Sequence, residues 1–184
     1  MLKKLFFTLT IFATFIFAET NAPKFELKDI NGGVTTVIAK ENGLNIPEAK
    51  GKVVLIEFWG THCPPCMFSI PHYIELTKEN KDKVAMYAIE VQATPKEALK
   101  EFAKTKGINY KLFTQKENMN FVNYIAQRAS WRGSIPFLVI LDTNGDVVDI
   151  KTGMVSKEYL QKVIEYLYNK KSATKSDKNS TTSK

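Results

Sequence analysis

Cysteine, histidine and arginine are scarce: the 184 residues contain two cysteines, two histidines, and no arginine other than Arg128 and Arg132. With two cysteines, Cys63 and Cys66, there is no framework of long-range disulfides and no four-cysteine zinc site. A bridge between residues three apart closes so small a loop that it removes little entropy from the unfolded chain, so a structural staple is a poor use of this pair. With histidine missing after the second cysteine, where Met67 stands, c-type haem attachment is excluded. The apolar run Leu5 to Phe17 is too short to span a bilayer comfortably, and no cysteine follows it that could be acylated as in a bacterial lipoprotein. Without an arginine-rich stripe, the net charge of +7 loses most of its suggestion of nucleic acid. Lys3 and Lys4 near the N-terminus, and five lysines against Asp177 after Asn169, hold six of those seven charges, so the body is nearly neutral.

What is present divides the chain into three. Residues 1–18, "MLKKLFFTLTIFATFIFA", run from positive to apolar to small, the order of a secretory signal peptide with cleavage near Ala18; an uncleaved N-terminal membrane anchor is the alternative. Residues 19–168 form one domain, and residues 169–184, rich in lysine, serine and threonine, are expected to be a disordered tail. An exported domain meets an oxidising compartment, the periplasm, where a cysteine pair can persist as a disulfide.

Within the body, "KFELKDI" and "VTTVIA" flank "NGG" as an N-terminal β-hairpin. The runs "KVVLIEF" and "VAMYAIEV" are expected to be strands buried on both faces. Helices are expected from Pro65 to about Glu79, after Thr94 as N-cap with Pro95 in first position, over "KENMNFVNYIAQRA", and from Ser156 to about Asn169. "YKLFT" reads as a short strand, and "PFLVILD" with "DVVDIKTG" as a second hairpin around "TNG". This order predicts an α/β fold, a three-layer sandwich around a central mixed sheet. In such sheets reactive groups collect where buried strands end and helices begin, and the cysteines lie at such a junction.

Two chemistries remain open for "FWGTHCPPC". Two thiolates with an imidazole suit zinc or copper, and His62 is within reach. His72, about 13 Å further along a helix, is not, and is expected on an exposed face. Reversible dithiol chemistry instead requires a nucleophilic thiolate, a second thiol to resolve the mixed disulfide, and a route for a proton. Cys63 at a helix N-terminus meets unpaired N–H groups and the positive dipole end, which favour its thiolate; it attacks first, and Cys66, one turn in, resolves. Pro64 and Pro65 withhold N–H groups the first turn leaves unpaired anyway, and stiffen the loop.

The segment "FWGTHCPPCMFSIP", with the buried strand before it, Pro71 five residues after the second cysteine and the late "SIP" of Ser134, Ile135 and Pro136, resembles the thioredoxin superfamily. It is most similar to exported thiol:disulfide oxidoreductases of the TlpA and ResA type, over roughly residues 25–168. The resemblance implies a thioredoxin-like fold and an enzyme with no cofactor beyond a redox-active Cys63–Cys66 disulfide and no bound metal. It implies that Pro136 is a cis-proline facing the disulfide, that Ile135 and Pro136 bind an extended substrate segment, and that Trp59 covers the disulfide. Pro71 would kink the active-site helix. Glu57 falls where thioredoxins carry a buried acid beneath the resolving cysteine; burial would raise its pKa and let it accept the Cys66 proton.

Two departures stand out. His62 replaces the tryptophan common before the first cysteine, and with Pro64 and Pro65 it is expected to tune the Cys63 thiol. Ser69 stands where some ResA-like proteins have glutamate. The implied partners are an inner-membrane thiol electron donor and protein disulfides, possible substrates including apocytochrome c; a monomer that binds no nucleic acid is expected. An oxidase or isomerase of the DsbA kind is the alternative.

Overall fold

The structure, a computed structural model, describes residues 22–180. The expected leader over 1–18 lies outside them. Two sheets organise the chain. β1 (Lys24–Lys28) and β2 (Val34–Lys40) pair antiparallel about the turn at Gly32, and β3 (Gly43–Asn45) extends the expected hairpin to three strands. Three residues are too few to show a periodicity, so β3 has no signal of its own in the sequence.

The central sheet has five strands in the order β6-β5-β4-β7-β8. β4 (Val53–Trp59) lies at its centre, parallel to β5 (Val84–Glu90) and antiparallel to β7 (Phe137–Leu141); β6 (Lys111–Thr114) and β8 (Val147–Thr152) form the edges. Every residue of β4 is buried, as its unbroken apolar run requires of a strand covered on both faces.

Alternation along β4 builds two cores. Val53, Leu55 and Trp59 face a cluster formed with α1 (Pro64–Glu79), α2 (Lys96–Lys106) and α4 (Lys157–Ser180). Val54, Ile56 and Phe58 face the other, formed with α3 (Met119–Arg128) and the N-terminal sheet. This is the expected three-layer arrangement around a mixed sheet.

The sheets meet at a pair of glycines. Leu44 N–H donates to the Gly145 carbonyl at 2.8 Å, and a Cβ on Gly43 would lie 2.0 Å from that same oxygen. The atoms it would meet, Gly145 O and C and Asp146 Cα, are all backbone, so no side-chain rotation relieves the clash. Gly43→Ala is therefore expected to destabilise the fold by roughly 2–4 kcal/mol, seen as a lower urea midpoint with an unchanged slope; an unchanged midpoint would show that the two sheets separate without cost.

Two helix ends differ from expectation. Thr94 does not cap α2, whose N-cap is Pro95 with no side-chain bond; the Thr94 hydroxyl is held instead by Glu90 at 2.8 Å. α4 continues past Asn169 to Ser180, into the stretch read as a disordered tail. Neither glycine nor proline occurs there to stop it, and polarity alone does not end a helix already nucleated on Leu160, Ile164 and Leu167.

Candidate active site

β4 leaves the core at Trp59 and the chain turns through Gly60, Thr61 and His62 into α1. The turn is closed by Cys63 N–H donating to the Gly60 carbonyl at 3.3 Å. Cys63 is the N-cap of α1, with extended backbone, and Pro64 and Pro65 follow where the helix leaves its first amides unpaired. Its carbonyl accepts from Met67 N–H at 3.1 Å, and its sulfur lies 3.3 Å from Cys66 N–H. The helix thus begins on the sulfur itself. Cys63 and Cys66 are joined as a disulfide with Cα atoms 5.2 Å apart. Cys63 is 5% exposed and Cys66 1%, so the first sulfur is the nearer to solvent. When the bond opens, the helix N-terminus favours negative charge on Cys63 over Cys66.

The exposed Pro64, Pro65 and Phe68 rim this end of α1, and Phe68 is 68% exposed. The helix continues through Pro71 to Glu79. The Ile135–Pro136 peptide bond is cis and leads into β7, whose Phe137 pairs with Phe58 of β4. The topology therefore brings Pro136 to the end of β4 from which the cysteine turn departs. Ile135 packs against both cores. Trp59 is buried in the cluster that holds both cysteines, its ring 5.7 Å from Phe102.

Glu57 lies between Leu55 and Trp59 on the α1 face of β4, 2% exposed, and its Oε1 has no hydrogen-bond partner among the described residues. Burial raises its pKa to about 8, an effect partly offset by a hydrogen bond to Tyr73. Tyr73 is seven residues after Cys66, two helical turns along the same buried stripe as Ser69 and Ile70. Burial and the neighbouring Glu57 push the Tyr73 phenol well above its usual range, so it stays a neutral donor; Ser69 hydrogen-bonds to it as well. Ser69 is 1% exposed and also donates to the Pro65 carbonyl. The titratable carboxyl on this face therefore comes from the sheet beneath the helix.

A second buried acid was not singled out in the sequence. Glu90 ends β5, is paired with Trp59 across the sheet and is 0% exposed. It accepts from Gln92 N–H at 3.0 Å, Thr94 N–H at 2.9 Å and the Thr94 hydroxyl at 2.8 Å. Thr94 in turn meets Thr61 at 2.8 Å, and Thr61 meets His62 Nδ1 at 3.1 Å. The Gln92 side chain fills the space beside Gly60 and accepts from His62 N–H at 2.8 Å. The exposed His62 is thus tethered at its backbone and at its ring. His72, expected on an exposed face, is half-buried, with Nδ1 enclosed and Glu75 and Glu158 as electrostatic neighbours. The α4 layer that covers it could not be placed from the helix alone. No group of three His, Cys, Asp or Glu among the described residues is arranged to hold a metal ion.

A buried helix N-terminus carrying a vicinal dithiol can exchange disulfides, and similarity to known proteins agrees. Residues 18–150 match the model of the AhpC/TSA family. The chain is 30% identical to the thioredoxin-like protein YneN of Bacillus subtilis over 146 residues, covering 78% of this chain and 76% of that one. It is 29% identical to the thiol-disulfide oxidoreductase ResA of Geobacillus kaustophilus over 163 residues, covering 85% and 84%. A thiol:disulfide interchange protein of the thioredoxin family from Chlorobium tepidum superposes with a TM-score of 0.66 at 22% identity, over 81% of this chain and 96% of that one. The chain belongs to the thioredoxin-like AhpC/TSA family and is a thiol:disulfide oxidoreductase.

Proposed function

We propose that this oxidoreductase is an exported, periplasmic reductant of protein disulfides, reloaded by an inner-membrane thiol donor, with cytochrome c maturation as the setting of its substrates. Cys63, as thiolate, attacks one sulfur of a substrate disulfide; the substrate's S–S bond breaks and a Cys63–substrate disulfide forms. Cys66 then gives its proton to Glu57 in the fraction of molecules where that carboxyl is ionised, and attacks Cys63. The second substrate thiol leaves, and Cys63–Cys66 closes as the disulfide present in the structure. The substrate gains the two electrons that the dithiol loses, and the donor returns them.

The observation that carries this reading is Glu57: a carboxyl buried on the face of Cys66, with its pKa at about 8, is a base matched to a thiol that must be deprotonated inside the protein. The exposed rim of Pro64, Pro65 and Phe68 beside Cys63 suits an extended protein segment, with Ile135 and the cis Pro136 as the residues expected to bind it. Between β5 and β7 the chain contains only α2, β6 and α3, short elements that pack into the body.

The reduction potential tests the direction. Equilibration with glutathione redox buffers, read by the fraction of free thiol, is expected to give a value below about −200 mV; one near about −120 mV would make the protein an oxidant of the DsbA kind.

A further inference from the structure

The bonds from Glu90 to His62 can be read as a count of protons. Both Glu90 oxygens are occupied as acceptors, Oε2 by Thr94 N–H and Oε1 by Gln92 N–H and the Thr94 hydroxyl. A threonine hydroxyl has one proton to give. Thr94 gives its proton to Glu90, so in its 2.8 Å contact with Thr61 it accepts, and the Thr61 hydroxyl is the donor. Thr61 has then spent its own proton, so at 3.1 Å from His62 Nδ1 it can only accept, and Nδ1 must carry hydrogen. The direction of every bond in the chain follows from the buried carboxylate at its far end.

We propose that Glu90, acting through Thr94 and Thr61, is a positioning residue that fixes the neutral His62 ring as its Nδ1–H tautomer, leaving Nε2 as the free proton-accepting nitrogen next in sequence to Cys63. The backbone tether from His62 N–H to Gln92 holds the turn that carries the ring. This rests on the role of Cys63 in disulfide exchange. The ring serves that reaction as a shuttle. Nε2 takes the proton of the Cys63 thiol, giving thiolate and imidazolium. The thiolate attacks the substrate disulfide, a Cys63–substrate bond forms as the substrate S–S bond breaks, and the departing substrate sulfur takes the proton back from Nε2. Charge and atoms balance, and the imidazole is left as the Nδ1–H form from which it began. With the opposite tautomer, Nε2 would already carry hydrogen and the neutral ring would have no free nitrogen on that side.

The test reads the ring directly and does not depend on activity. In the full chain labelled with ¹⁵N-histidine, only two imidazoles contribute, and His62→Gln identifies which is which. Two-bond nitrogen–proton correlations, followed across a pH series, distinguish the tautomers of the neutral ring. The wild-type protein is expected to show His62 predominantly as Nδ1–H. Thr61→Val and Thr94→Val are expected to move the population toward Nε2–H, the form histidine prefers in water, and Thr61→Ser, which keeps the hydroxyl, to restore it. A wild-type His62 that is mainly Nε2–H overturns the proposal, even if every variant unfolds. So does a folded Thr94→Val variant with the wild-type tautomer. Loss of exchange activity with an intact Nδ1–H signature would count against the oxidoreductase role of the site and leave the tautomer assignment standing.

Discussion

Cys63→Ser is expected to abolish disulfide exchange, with insulin reduction driven by dithiothreitol falling to the uncatalysed rate, a loss on the order of 10³-fold or more. The thiolate is the nucleophile, and a serine hydroxyl remains protonated where a thiol at a helix N-terminus ionises. The helix should survive, because Cys63 contributes an N-cap with extended backbone and serine is a favoured residue there. Cys66→Ala is expected to behave differently. Cys63 still attacks, but the mixed disulfide is not resolved, so covalent adducts accumulate and separate on non-reducing gels. The pair distinguishes attacking from resolving sulfur: if Cys66→Ser abolished the first attack while Cys63→Ala trapped the adduct, the roles would be reversed. The greater exposure of Cys63 and its place as N-cap are the reasons for expecting the first attack there.

The second large effect is one of stability and pH. Glu57→Gln should make the oxidised protein more stable in alkali without changing it in acid. Below pH about 4.5 the carboxyl is protonated in both folded and unfolded chains and adds no pH dependence. Between about 4.5 and 8 the unfolded chain ionises while the folded one keeps its proton, so stability falls as pH rises, by about 1.4 kcal/mol per unit. Above 8 both are ionised and the full penalty, about 5 kcal/mol, is in place. Glutamine has no such titration, and every other ionisable group is common to both proteins. Urea unfolding at pH 4 and pH 9 should therefore give curves that nearly coincide at the lower value and separate by several kcal/mol at the higher. Parallel behaviour at both would show that Glu57 reaches water. The stability Glu57 withholds in alkali is the cost of keeping a base inside the protein.

The sequence made these two sites legible to different degrees. The apolar run of β4 and the position of Cys63 at the strand-to-helix junction located the cysteine pair in the fold, because a buried strand and a proline-led helix start each have a strong local pattern. Glu57 was visible for the same reason, as the lone acid in that run. Glu90 has the same signature in "VAMYAIEV" and could have been found by it; no motif pointed there. Tyr73 required knowing which stripe of α1 faces the sheet, since spacing from Cys66 shows that the two share a face but not what that face meets. Thr94 misled because threonine before proline fits an N-cap, and a buried carboxylate four residues earlier in the chain outbid the helix for its hydroxyl. β3 and the covering of His72 depended on tertiary contacts with no local pattern. The extension of α4 shows the converse: composition argued for disorder, while the chain carried no residue that ends a helix.

Trp59 has a consequence beyond packing. It lies beside Glu90 across the β4–β5 pair and two residues from Glu57 along β4, so its side chain shares a face of the sheet with both Glu57 and Glu90. An indole N–H can donate but has no lone pair with which to receive, and this one is enclosed without a partner among the described residues. It therefore cannot relay hydrogen from one carboxyl to the other. The two hydrogen-bonded groups, Glu57 with Tyr73 on one side and Glu90 with Thr94, Thr61 and His62 on the other, thus have no hydrogen-bonding bridge through Trp59.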